Sequence, residues 1–457
     1  MTTTISRRSM LKWMAAGSAT AALAACAMPV ATDTGGDAEM ADMEDITIGW
    51  ARHGSEGDVP TETGLAELFK SKHPGVQVEP LVLPWGDYNT KIPVMVAGGT
   101  APDTFGCHPA LMAETHTAGG SIPLTDFIDA YGADLNYDDV VYHGDALFDG
   151  VVFGLPQKSC THQLRYNKTL LQEAGMPLPG ELYWEQGADG WNWNTFIEMG
   201  KELTKDLDGD GETDQYFYGG SGGTNQLALI RAAGGEVFDE AVSTCTINSA
   251  DAVEGIKFMA DLVLEHKIQP PPEMQANELG INFNTGRIVM AGGTTCDSVR
   301  DLREGYELPF EWDFVLVPAG KAGFRCWGDT DQIVVSSASE YAQEAFDWAV
   351  YRSSLEAWEE GYDSGITLAF SDGPTRYSIF ESKAYTEPLG ALDIPMIREG
   401  YINTIPNPFV PRSPQPYRVL FTVMTTEVDN ALRGAKSAQQ AADDMCAQIE
   451  EILAENA

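Results

Sequence analysis

A chain of 457 residues, 43% of them hydrophobic, is long enough to bury two cores and apolar enough to fold. Against 28 Lys and Arg stand 68 Asp and Glu, a net charge of −40. With no basic footprint the chain is not built for nucleic acid or an anionic membrane surface, and its acidity suits solubility or a saline medium, where ions screen self-repulsion.

The N-terminus reads as an export signal. Ser6-Arg7-Arg8-Ser9-Met10-Leu11-Lys12 places a twin arginine before a short apolar run, Trp13 to Ala25, too short to span a bilayer. The run ends in Leu23-Ala24-Ala25-Cys26, which resembles the lipobox of bacterial lipoproteins, whose Cys is acylated. The plainer alternative is an ordinary cleavage site with an incidental Cys. Loss of residues 1–25 removes Arg7, Arg8 and Lys12 and no acid, taking the charge from −40 to −43. Residues 26–44 then form a polar tether reaching on the order of 20–25 Å as a random coil. No later stretch has 18 consecutive apolar residues, so no transmembrane helix is expected.

Beyond the tether, Asp45–Trp50 alternates as a first strand, and Thr63–Lys72 is a helix stopped by His73-Pro74-Gly75. Val76–Leu83 is a strand and Asp87–Ala97 a helix; a Gly-Gly turn leads to Thr104-Phe105-Gly106. Strands alternating with helices predict a parallel-rich α/β lobe. Val419–Glu455 reads as helix, broken near Arg433-Gly434-Ala435. With Cys26 assigned to lipid, six Cys remain, allowing up to three disulfides in an oxidising compartment, buried free thiols being the alternative.

Several short motifs follow one another in a fixed order. Phe69-x-x-x-x-Pro74-Gly75-x-x-Val78 is followed by Ala97-Gly98-Gly99-Thr100-Ala101-Pro102-Asp103, then by Gly119-Gly120-Ser121-Ile122-Pro123-Leu124-Thr125. Gly154-Leu155-Pro156 precedes Tyr166-Asn167-Lys168 and Ala174-Gly175; Trp193-Asn194-Thr195-Phe196 and Phe283-x-x-Gly286-Arg287-x-Val289-Met290 complete the series. In order and spacing, across nearly the whole mature chain, this resembles the extracellular solute-binding proteins of family 1, the maltose-binding-protein type. Val289 departs from the Ala usual there. The resemblance implies an α/β, two-lobed periplasmic-binding-protein-like fold (type II) whose hinge the chain crosses more than once. Carried over, lobe one is 45–156 plus 331–371 and lobe two 157–330 plus 372–457. It also implies a monomer that hands its ligand to the transmembrane subunits of an ABC permease.

Ligands of open α/β sheets lie beyond the carboxyl ends of strands. Trp50, Arg52 and His53 are therefore candidates after the first strand, Trp85 after the second, and Cys107 and His108 after the third. Thr294 and Thr295 follow Ile288–Ala291, and Trp327, Gly328 and Asp329 precede the apolar Ile333-Val334-Val335. Arg165 ends another strand, and Ser221 and Asn225 lie in a Gly-rich loop before a helix, where backbone amides meet a hydroxyl or anion. For Trp50 and Trp85, core packing is an equal alternative; for the loop, so is a plain connector. Aromatic faces with carboxylates suit sugars, whose ring faces stack and whose hydroxyls donate.

No Gly-x-Ser-x-Gly elbow, Walker loop or His-Glu-x-x-His occurs, and the seven His are scattered. The expectation is a receptor for a mono- or oligosaccharide and not an enzyme. The alternatives are a secreted carbohydrate-active enzyme, or a receptor for a polyol, glycerol phosphate ester or peptide. One segment has metal character. Asp206, Asp208, Asp210 and Asp214 stand at positions 1, 3, 5 and 9 of a turn with Gly211 at 6 and the Glu212 carbonyl at 7, a spacing that suits structural Ca²⁺. Position 12 is Phe217 where Glu is usual, and a solvated acidic turn is the alternative.

Overall fold

The computed structural model describes residues 45–455, except 133–135, 137–138, 142–145, 221–222, 276–280, 303–306 and 407–412. The proposed signal, lipobox and tether lie outside the described residues, as does Ser221. Among the described residues no helix is long and apolar enough to cross a membrane.

The first strand, β1 (Ile46–His53), runs three residues past its expected end at Trp50, because Ala51 and Arg52 are buried on opposite sides of the sheet as well. Helix α1 (Val59–Lys72) has Pro60 in its first turn, where a missing N–H costs nothing, and ends with Lys70 and Lys72 at its negative pole. Then come β2 (Val76–Leu83), α2 (Trp85–Ala97), β3 (Thr104–Cys107) and α3 (Pro109–Thr117). β1 pairs in parallel with both β2 and β3, the βαβ arrangement expected.

The long strand β4 (Leu155–Asn167) carries the chain onward. After it come α4 (Trp193–Leu203), β5 (Tyr216–Gly219), α5 (Ala250–Leu264), β6 (Ile288–Thr294), the short helix α6 (Thr295–Ser298), β7 (Trp312–Val315), β8 (Cys326–Val335), α7 (Ala342–Arg352) and β9 (Thr404–Pro406). A π-helix, Val419–Met424, leads to α8 (Thr425–Leu432) and α9 (Ala438–Glu455). The expected break at 433–435 is present, but the run begins as π-helix.

One mixed sheet runs β2-β1-β3-β8-β4-β6-β5, with β9 on β8 and β7 on β4. β4 pairs antiparallel with β8 over its first half and with β6 and β7 over its second. β8 does the reverse, leaving β4 to pair with β3 at its end. These two strands therefore join the β1–β3 half of the sheet to the β5–β7 half without a loop.

Two disulfides form, Cys160–Cys296 and Cys245–Cys446, with Cα separations of 5.6 and 5.4 Å. The other two cysteines follow the alternative of buried free thiols. Cys107 and Cys326 are buried thiols, each pushed up to about 12 by burial.

Candidate binding site

A cavity of about 600 Å³ opens over the paired strands β4 and β8, within the range of about 300–1,000 Å³ that encloses drug-sized ligands. Its floor follows from the period of two. Trp327, Asp329 and Asp331 of β8 lie on one face, as do Lys158, Cys160 and His162 of β4. The register sets Asp329 opposite Cys160 and Asp331 opposite Lys158. The His162 ring meets the Trp327 ring edge-on at 4.6 Å. Gly328, between Trp327 and Asp329, is turned to the other face by the pleat and does not line the cavity.

Both aspartates are held by histidines. His53 Nε2 lies 2.7 Å from Asp331 Oδ2, and His108 Nε2 lies 2.8 Å from Asp329 Oδ2. His108 is the N-cap of α3, its Nδ1 accepting the Ala110 N–H at 3.0 Å. That bond leaves Nε2–H to donate to Asp329 and so fixes the tautomer. Burial opposes ionisation of Asp331, but His53, and further off His108 and Lys158, outweigh it and hold the carboxyl well below the usual range. Trp85, half-exposed at the start of α2, packs edge-on to both imidazoles, with ring centroids 4.8 Å from each.

Arg52 belongs to the wall and to a buried ion cluster behind it. Its Nη1 donates to Glu62 Oε1 at 2.6 Å and its Nη2 to Asp372 Oδ1 at 2.9 Å. Arg352 donates to Glu62 Oε1 at 2.8 Å and also to Asp372. Burial would raise the Asp372 carboxyl, yet Arg52 and Arg352 hold it down at about 2. Thr294, Arg300, Ser371 and Phe421 complete the lining. Phe421 rides on the π-helix, a form that occurs mostly at functional sites.

Of the candidates read from strand ends, Arg52, His53, Trp85, His108, Thr294, Trp327 and Asp329 meet in this one cavity. The others sit elsewhere. Trp50 is mid-strand because β1 continues to His53; it is in the core, its Nε1 donating to Glu62 at 2.9 Å and its ring against Trp348. Cys107 is buried beside the Thr115 hydroxyl. The Arg165 guanidinium lies over the Phe283 ring at 4.4 Å. Asn225 packs against Gly292, where an added Cβ would stand 2.5 Å from its Oδ1. Thr295 is buried, its hydroxyl accepting the Thr161 N–H at 3.3 Å.

In the acidic turn, carboxylate oxygens of Asp206, Asp208 and Asp210 lie within 4.8 Å of one another. Asp206 already accepts the Gly209 and Gly211 amides at 2.7 and 2.9 Å. Asp214 is turned to the Leu207 amide and to Arg287, at 2.8 and 3.2 Å. Glu212 is exposed and its amide donates to Asp210. Phe217 at position 12 is in the core.

A mixed sheet whose two central strands floor a cleft lined by aromatic and charged side chains is the architecture of a two-lobed binding protein. The chain belongs to the bacterial extracellular solute-binding protein family, whose sequence model matches residues 54–354. An ABC substrate-binding protein of Listeria monocytogenes in complex with cycloalternan superposes with a TM-score of 0.75, at 20% identity, over 90% of this chain and 100% of that one. Maltose-bound MalE3 of Thermotoga maritima gives 0.69 at 18% identity, over 90% and 99%. At such identities the likeness shows the fold. Among curated relatives, the arabinooligosaccharide-binding protein of Halalkalibacterium halodurans is 22% identical over 247 residues, 52% of this chain. A candidate binding protein of Brucella abortus is 24% identical over 294 residues, 62% of this chain. The chain spans 66% of the Brucella protein and 51% of the Halalkalibacterium one, less than two thirds of either.

Proposed function

We propose that this protein captures a sugar between its lobes and delivers it to the membrane subunits of an ABC importer. The observation that carries the reading is the pairing of a half-exposed Trp85 with two histidine-held carboxylates, Asp329 and Asp331, in one cavity. A pyranose face stacks on the indole, and each carboxylate, using one oxygen on its histidine, offers the other to a hydroxyl. The test is a thermal-shift screen of the mature protein against mono- and oligosaccharides. A sugar at 100 times its Kd should stabilise the fold by about 2.7 kcal/mol and be recovered unaltered after long incubation. Recovery of a cleaved sugar, in proportion to protein, would replace the receptor reading with an enzyme.

Two further readings belong to this proposal. The protein is exported by the twin-arginine route and held at the membrane through acylated Cys26, so Cys26→Ala should move it to the soluble fraction. Unchanged partitioning would sink the anchor. The acidic turn takes Ca²⁺ on Asp206, Asp208 and Asp210 with the Glu212 carbonyl, a hard-oxygen set suited to that ion. Chelator should then lower the Tm of the wild type and leave an Asp208→Ala, Asp210→Ala variant unmoved; a wild type indifferent to chelator and calcium alike has only a solvated turn.

A further inference from the structure

The cavity contains a covalent tie between its floor and one wall. Cys160 stands on β4 between Lys158 and His162, opposite Asp329, and lines the cavity. Its partner Cys296 lies in α6, 136 residues along the chain, in the stretch that joins Thr294 to Arg300. Both sulfurs belong to largely buried residues, Cys160 being 6% and Cys296 2% exposed. Pairing of β6 with β4 ends at His162↔Thr294. Past that point the segment leaves the β-ladder and runs on through α6. The Thr295 hydroxyl accepts the Thr161 N–H at 3.3 Å and meets the Tyr401 hydroxyl at 3.4 Å, both long for hydrogen bonds, and Val299 packs into the core. Cys245–Cys446, by contrast, joins the approach to α5 with α9, and neither cysteine lines the cavity.

We infer that the Cys160–Cys296 disulfide is a positioning pair for the ligand wall: closed, it sets Thr294 and Arg300 against the floor; opened, it loosens the wall and weakens binding without unfolding the protein. The affinity half rests on the cleft being the ligand site. Opening is thiol–disulfide exchange. A dithiothreitol thiolate attacks Cys160 Sγ, the S–S bond breaks, and Cys296 leaves as a thiolate and takes a proton. The reagent's second thiol then displaces Cys160, also as a thiol. Two electrons and two protons pass to the protein, and the reagent ends as its cyclic disulfide.

The test compares the mature wild type with Cys160→Ser/Cys296→Ser and Cys245→Ser/Cys446→Ser. Amide exchange over Thr295–Leu302 and binding of maltotriose and arabinotriose are followed, with and without dithiothreitol. In the first variant exchange over this stretch should rise about tenfold and a bound sugar should weaken about tenfold. Dithiothreitol should bring the wild type to the same values, which covers a variant that fails to fold. The second variant should lose Tm while keeping wild-type exchange at 295–302 and wild-type affinity. Unchanged exchange at 295–302 on opening the bond overturns the inference; raised exchange with undiminished affinity overturns its binding half. If neither sugar binds the wild type, the sugar reading fails for these probes, and the exchange result alone decides whether the disulfide holds the wall.

Discussion

Glu62→Gln should destabilise the fold by about 3–5 kcal/mol, the usual cost of breaking a buried ion pair from one side. Glu62 is fully buried on α1 and accepts from Trp50, Arg52 and Arg352. The amide leaves two guanidiniums in the core facing one carboxylate, Asp372. Denaturant titration reads the loss directly, and a change within 0.5 kcal/mol, the range of ordinary surface substitutions, would show that the cluster is not a working unit. The same cluster sets an acid limit. The folded carboxyls of Asp372 and Glu62 are depressed, Asp372 to about 2, against about 4 in an unfolded chain. Its contribution is therefore complete above about pH 4 and is lost as pH falls toward 2.

Trp85→Ala should weaken sugar binding by about 1–3 kcal/mol, 5- to 150-fold in Kd, with little change in Tm. Trp85 is half-exposed at the head of α2 and touches the core through the two imidazoles. Trp327 is the poorer probe. It is 1% exposed and its Nε1 has no hydrogen-bond partner among the described residues. Trp327→Ala should cost about 3–5 kcal/mol of folding stability as well. Isothermal titration with a screened sugar decides; wild-type affinity in Trp85→Ala would remove that indole from the site.

The strand-end rule found the cavity from one side. It works for His53, Trp85 and His108, which leave parallel strands at the lobe edge. It fails for Trp50 because a buried Arg at position 52 disguised the continuation of β1 into the pleat. It cannot reach Lys158, Cys160, His162 and Asp331, which face the ligand from the middle of strands. Their signal was present in Gln157-Lys158-Ser159-Cys160-Thr161-His162-Gln163, a continuous polar run that the structure buries along its whole length. Phe421 left no such trace, since a π-helix shifts its residues off the 3.6 period by which a helical face is read. The family motifs, by contrast, lie on turns and helix starts such as Gly99, at a φ of 65°, and Trp193, stacked on Phe258, where backbone geometry or core packing and not a ligand dictates the residue.

Because β4 and β8 are at once the floor of the cavity and the strands common to both halves of the sheet, a ligand on that floor would touch the joint directly. A change in the twist of these two strands would shift Asp329 and Asp331 against Cys160 and Lys158 in the same stroke that turned one half of the sheet against the other. Nothing has to be relayed from a distant pocket to a distant joint. The number of states is then set by how many arrangements one strand pair can hold, so stiffening it, for instance by filling the Gly328 position, should narrow the range of ligands tolerated before it touches the strength with which the best of them is held.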